Sequence, residues 1–345
     1  MTPNSSHRRI ALSAAALAAS LLIAGCAASA PNPDAEQGAA ADGLRPVTLM
    51  LNWTPNAHHA GIYYAHEHGL YEAAGLDVEI LEPGDGIGAD ASVAQGRADF
   101  GISQAESVLP ARAAGMDLEA VATLLPVNDS VLMGLAGSGL TADPGSLAGL
   151  TYGGYGGALE TEIISALAEC GGADAAAVEF VEIGNVDYLS GLAQQRFDVT
   201  WVFGGWDALR AQAERDDVSL IALADQQACI PNWYTPVIIG NAKAMTEDPD
   251  LTESFLAATS AGYDAVVADP SAGAAAMLAA APELDEGLIA AAVDYYAPRF
   301  APEGRFGAME SEVWQRFTEF LVRANMLDDA TALDGAWTND YLPAA

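Results

Sequence analysis

The sequence predicts an α/β protein of two lobes, with two crossovers between them and a helical C-terminal part. Three observations lead to that class. From residue 46 onward, apolar runs of strand length alternate with segments of helical period, the pattern of a mainly parallel sheet with helices on both faces. The turn-rich stretch Thr141-Ala142-Asp143-Pro144-Gly145 interrupts this alternation, which restarts at Gly149. After a last strand-like run at 235–240, the remaining segments have helical period. The same string also fits one wide doubly wound sheet. The restart favours two lobes, one formed by 46–142 with 237–345 and the other by 143–236.

In chain order, residues 47–53 read as a strand, 61–74 as an amphipathic helix, 78–81 as a strand, 88–95 as a helix and 98–103 as a strand, followed by a helix to Ala114. Two further strands are expected at 120–125 and 130–136. The second unit reads as strands at 150–152, 178–183, 199–203 and 219–223, with helices at 159–170, 188–195 and 206–213 between them. The C-terminal helices are expected at 249–268, 271–280, 286–296 and 310–324. Asp269-Pro270 and Ala281-Pro282 separate the first three, because proline removes a helical donor and restricts the residue before it.

At the N-terminus, Arg8 and Arg9 precede an apolar run from Ile10 to Ala24 and then Leu22-Ile23-Ala24-Gly25-Cys26. This pattern is a secretory signal over 1–25 with a lipobox, which makes Cys26 the lipidation site. The run is shorter than the ~20 residues that span a bilayer. Residues 26–45 are rich in Ala, Ser, Pro, Asp and Gly and read as a flexible tether. The chain has a formal charge of −34. Removal of 1–25 deletes two bases and no acid, leaving 11 bases against 47 acids, or −36. Such a surface repels nucleic acid. Cys170 and Cys229 remain, either to pair in an oxidising exterior or to stay as free buried thiols.

Five segments at expected strand ends carry more aromatic and polar residues than a core requires. They supply the candidate ligand-binding residues: Asn52, Trp53, Asn56, His59 and Tyr63; Gln104 and Glu106; Tyr155 and Glu160; Trp201 and Trp206; and Tyr234. Parallel sheets bind ligands at the carboxyl ends of their strands. None of these segments contains Lys or Arg. A phosphate, sulfonate or carboxylate would call for a charge-assisted partner, so the polar groups present suit a neutral or weakly cationic heteroaromatic. Trp and Tyr can stack on its ring, and the carboxylate of Glu160 or Glu106 can accept its amino hydrogens. Half of these aromatics, Trp201 above all, could equally fill the core.

Four of the five histidines lie between His58 and His68, but His66 and His68 cannot share a helix face and no Cys or HExxH pattern accompanies them. The stretch 153–157 is neither a P-loop nor a dinucleotide fingerprint, and no nucleophile motif is present. The residues therefore call for no metal, no cofactor and no catalytic role.

Leu51-Asn52-Trp53-Thr54-Pro55-Asn56, His59 and Gly61-Ile62-Tyr63 resemble the opening of the thiamine-biosynthesis-like family of periplasmic binding proteins, which includes pyrimidine-precursor receptors. The resemblance continues through 100–104, 203–207, 234–238, 255–263 and 337–339. It implies a type II periplasmic-binding-protein fold that delivers a small molecule to an ABC permease and its ATPase; with the lipobox, the body is expected outside the membrane as a monomer held by lipid on Cys26. The expected ligand is the thiamine pyrimidine precursor or a similar ring, bound by lobe closure about crossovers near Asp143 and Pro236. Related receptors take riboflavin or sulfonates, and a metal receptor is a further alternative. Fungal relatives are pyrimidine synthases that use a histidine like His59 with a cysteine-rich motif. The missing motif points to a binder and not an enzyme.

Overall fold

The computed structural model describes residues 43–84, 88–184, 186–302 and 304–344. The expected signal, Cys26 and most of the tether lie outside the described residues. The first lobe opens with β1 (Arg45–Met50), α1 (Ala60–Glu67), α2 (Leu70–Ala73), β2 (Leu76–Leu81), α3 (Ala89–Ala94), β3 (Phe100–Ser103), α4 (Ala105–Ala113) and β4 (Glu119–Thr123). The helix expected at 61–74 is thus two helices. Gly69 separates them with a φ of 67°, a left-handed conformation that glycine adopts without a Cβ clash.

The second lobe contains β5 (Ser130–Leu135), β6 (Thr151–Gly154), α5 (Ala158–Cys170), β7 (Glu179–Glu182), α6 (Tyr188–Ala193), β8 (Val199–Phe203), α7 (Leu209–Glu214) and β9 (Val218–Ala222). The chain then returns through β10 (Val237–Gly240) and closes with α8 (Ala242–Glu247), α9 (Pro249–Ala268), α10 (Pro270–Ala280), α11 (Glu286–Phe300) and α12 (Ser311–Arg323). On α12 the buried residues Trp314, Phe317, Thr318 and Leu321 recur at helical spacing, forming the stripe that meets the core.

Two five-stranded sheets result, ordered β2-β1-β3-β10-β4 and β7-β6-β8-β5-β9. In the first, β1 is parallel to β2 and β3, while β10 is antiparallel to β3 and β4. In the second, β6 is parallel to β7 and β8, while β5 is antiparallel to β8 and β9. The sheets share one plan, and each receives its reversed strand from a crossover. This corrects the expected boundary: β5, assigned from sequence to the first lobe, lies inside the second sheet, so the first crossover is 124–129 and not near Asp143. Asp143 instead accepts the Gly145 N–H at the start of the short turn Pro144–Leu147. The physical reason is the reversed direction of β5. A strand bonded on both sides by later strands leaves no local sign of its sheet.

The second crossover spans 223–236 and is tied to the first. Asn232 accepts the Asn128 N–H at 2.9 Å and donates to the Pro126 carbonyl at 2.9 Å. Cys170 at the end of α5 forms a disulfide with Cys229 of this crossover, with Cα atoms 5.6 Å apart. One apolar cluster joins the first sheet to α1 and α9–α11. Another runs from α4 and α12 through Trp233 and Tyr234 to α5 and β8. Among the described residues no helix is long and apolar enough to cross a membrane.

Candidate functional site

The parallel strands of both sheets end at one cleft of about 560 Å³. From the first lobe it is lined by Asn52, Trp53, Asn56 and His58, which follow β1, and by Gln104, which follows β3. Tyr155 follows β6, Val186 to Tyr188 follow β7, and Phe203, Trp206 and Asp207 follow or end β8; Arg210 comes from α7.

The turn after β1 is held by its own polar groups. Asn56 accepts the His58 N–H at 3.1 Å and donates to the Thr54 carbonyl at 3.0 Å, capping the single turn Ala57–His59. His59 is fully buried. Its Nδ1 accepts the Asn56 N–H at 3.4 Å, which assigns the ring proton to Nε2, and Nε2 donates to Asn52 Oδ1 at 3.0 Å. Burial, then the neighbouring His58, lowers the His59 pKa to about 3. His58 is lowered to about 3 by burial alone. Its ring packs 4.4 Å from Tyr296 and edge-on to Phe203 at 5.3 Å, and its Nε2 has no hydrogen-bond partner among the described residues.

On the second lobe the hydroxyls of Tyr155 and Tyr188 are 2.9 Å apart. The chain leaves β8 through a π-helical turn, Gly204–Ala208, where a Cβ on Gly205 would lie 2.4 Å from the rings of Tyr295 and Tyr296. That close approach of α11 sets Trp206 and Asp207 at the cleft. Arg210 Nη2 donates to Asp187 Oδ2 at 2.7 Å and lies 3.7 Å from Asp207 Oδ1. The Asp187 carboxyl, which also caps α6 by accepting the Ser190 N–H at 2.8 Å, is pushed down to about 2, by that N–H and then by Arg210. Burial raises the Asp207 pKa, and Arg210 opposes it.

Of the residues singled out from sequence, Asn52, Trp53, Asn56, Gln104, Tyr155 and Trp206 line the cleft. The other six do not. His59 stands behind Asn52 and Asn56 and orients them. Tyr63 is buried in the first lobe's core, where burial pushes its hydroxyl up to about 12. Glu106 faces Trp233, and burial raises its carboxyl to about 8. Glu160 accepts from Tyr152 Oη at 3.0 Å and from the N–H groups of Tyr155 and Gly157, so its oxygens are committed to the loop. Trp201 packs edge-on to Trp233 at 6.0 Å, and Tyr234 accepts the Glu310 N–H at 2.7 Å inside the core. Sequence reasoning missed His58, Asp187, Tyr188, Phe203, Asp207 and Arg210 as cleft residues. Two signals were available: Asp207 and Arg210 stand one turn apart, and Asp187 is a good cap for the helix expected at 188. Among the described residues no group of His, Cys, Asp or Glu converges as metal ligands.

Two mixed α/β sheets facing each other across a cleft at their carboxyl ends define a two-lobed protein of the periplasmic-binding fold. The periplasmic aliphatic sulphonate binding protein of Escherichia coli has this fold. It aligns with a TM-score of 0.66 at 14% identity, over 87% of this chain and 94% of that one. The chain belongs to the NMT1/THI5-like family, whose model matches residues 56–273. A formylaminopyrimidine-binding protein of Halalkalibacterium halodurans is 24% identical over 331 residues, 94% of this chain and 96% of that relative. A 4-amino-5-hydroxymethyl-2-methylpyrimidine phosphate synthase of Legionella pneumophila is 24% identical over 304 residues, 86% of this chain and 92% of its own length.

Proposed function

We propose that the protein is the extracytoplasmic binding component of an ABC importer, anchored through lipid on Cys26, and that its lobes close on a small neutral aminopyrimidine without chemical turnover. The observation that carries this reading is a pair of exposed aromatics on opposite walls of the cleft. Trp53 is 54% exposed on the first lobe and Tyr155 is 52% exposed on the second. Large apolar side chains left in water at the mouth of a cleft gain most from a planar ligand between them. Asn52, Asn56 and Gln104 add amide donors and acceptors on one side, and Asp207 adds an acceptor on the other. The name of the Halalkalibacterium relative supports the ring class. His59 is held by two hydrogen bonds behind the wall, which supports a positioning role and not proton transfer to a ligand.

Calorimetric titration tests the ligand. Formylated and free aminopyrimidines bind, Trp53→Ala weakens them at least tenfold, about 1.4 kcal/mol, and the unliganded melting temperature changes little because the indole is half in water. Binding of alkyl sulfonates alone, or a large stability loss with unchanged affinity, overturns the reading. Cys26→Ser releases the folded body from the membrane fraction if the anchor is as proposed.

A further inference from the structure

The charged groups lining the cleft all stand on the second lobe: Asp187, Asp207 and Arg210. The facing wall offers the neutral Asn52, Asn56, Gln104 and His58. A lone arginine in a cleft invites phosphate or carboxylate, because its planar fork matches both. Arg210 is not offered that way. Its Nη2 is engaged by Asp187 at 2.7 Å and flanked by Asp207 at 3.7 Å. Asp187 cannot swing aside freely, since its other oxygen holds the Ser190 N–H at the start of α6. Together the three groups carry a net charge of −1. Asp207 lines the cleft, and no donor among the described residues hydrogen-bonds it, which leaves its carboxylate with acceptor capacity for a ligand. An incoming anion would meet two carboxylates around one cation; an incoming N–H group would meet an acceptor.

Resting on the aminopyrimidine reading above, we propose that Asp187 and Asp207 mask Arg210 and so set the charge specificity of the cleft: the protein takes the unphosphorylated pyrimidine and rejects its phosphate ester, although an arginine lines the site. The phosphate ester is the sharpest competitor because it presents the same ring to Trp53 and Tyr155 and differs only in charge. Asp187 and Asp207 are then specificity-determining residues, one acting through Arg210 and the other both on Arg210 and on the ligand. The bland alternative is an ion pair that only pins α6 to α7. Removing it would lower stability and leave ligand ranking alone.

The test compares 4-amino-5-hydroxymethyl-2-methylpyrimidine with its monophosphate by calorimetry on the intact body. The variants are Asp187→Asn, Asp207→Asn, the double variant, and the double variant with Arg210→Gln. Asparagine caps a helix about as well as aspartate, and a melting curve for each variant separates folding from recognition. In the wild type the alcohol binds at least tenfold more tightly than the phosphate. In the double variant that ratio falls at least tenfold, the phosphate binds in a salt-sensitive manner, and Arg210→Gln removes the gain. Equal wild-type affinity for both compounds, or a double variant with an unchanged ratio, overturns the proposal. If the wild type takes neither pyrimidine, the parent reading fails by itself. The masking is then read on benzyl alcohol and benzyl phosphate by ligand-observed magnetic resonance: the same ranking and its loss in the double variant support masking, and their absence overturns it.

Discussion

Burial holds His58 and His59 neutral, and each ring would have to take a proton against the surrounding core before the first lobe could charge there. With folded pKa values lowered to about 3 from an ordinary 6.5, the unfolded chain binds more protons than the folded one in that interval. Stability present above pH 6.5 is therefore lost as pH falls toward 3. Glu106 has the opposite sign. Burial raises it from 4.5 to about 8, so the folded state binds the extra proton and stability is lost as pH rises from 4.5 through 8. Each contribution is on the order of a few kcal/mol. Urea unfolding across pH 3–9 gives a maximum between the two limbs, and Glu106→Gln flattens the alkaline limb and leaves the acid limb. An alkaline limb unchanged by Glu106→Gln places its cause elsewhere. At this scale the sequence identified residue types better than directions. The segment Asn52 to Asn56 was legible as part of the cleft wall because polar and aromatic groups crowd a strand end. Which of two adjacent histidines faces the cleft is set by the turn that Asn56 caps. Tyr234 was misread because a hydroxyl spent on the N–H of Glu310, far along the chain, looks the same in sequence as one free for a ligand. Glu160 was misread because a carboxylate at the third position of a helix can turn back onto the N–H groups of its own cap, here Gly157 and Tyr155.

Among the elements, β8 at Val199–Phe203 coincides with the strand expected from its apolar run, and the C-terminal helices follow their proline breaks closely. What local pattern could not assign was sheet membership. β5 and β10 are apolar runs like the others, yet each is inserted antiparallel into the sheet beyond a crossover, and that choice is made by hydrogen bonds to strands 60 or more residues away in sequence. The disulfide belongs to the same problem: the spacing of Cys170 and Cys229 left pairing open, and the fold brings α5 beside the second crossover. Joining residues 59 apart removes chain entropy from the unfolded state worth about 4 kcal/mol in the loop-closure model. Paired Cys170→Ser and Cys229→Ser substitutions thus lower the unfolding free energy by up to that amount in denaturant titrations. A loss below ~1 kcal/mol would mean that the reduced unfolded chain keeps this region ordered.

For the whole molecule, two features restrict how the lobes can move. The crossovers are bound to each other through Asn232. Beside them Asp129, the last residue of the first crossover, accepts the hydroxyls of Tyr295 at 2.6 Å and Tyr296 at 2.8 Å from α11 and the Gly205 N–H at 2.9 Å from the second lobe. A carboxylate that joins both lobes at the crossover lies where a hinge rotation displaces atoms least, so its bonds should survive closure. In the proposed closure the cleft is where displacement is greatest, and a ligand that buries Trp53 and Tyr155 would supply the differential affinity that closure needs. Ligand addition should then reduce the radius of gyration in X-ray scattering with the same midpoint as calorimetric binding. In Asp129→Asn, hydrogen bonds to a charged group, about 1.5 to 3 kcal/mol each, are weakened in open and closed forms alike. Stability falls in that variant, while the compaction and the affinity of the folded protein stay within about threefold, a difference under 1 kcal/mol. An affinity change much larger than that, with stability preserved, would mean that the Asp129 bonds belong to one form only, and would move the hinge axis away from the first crossover.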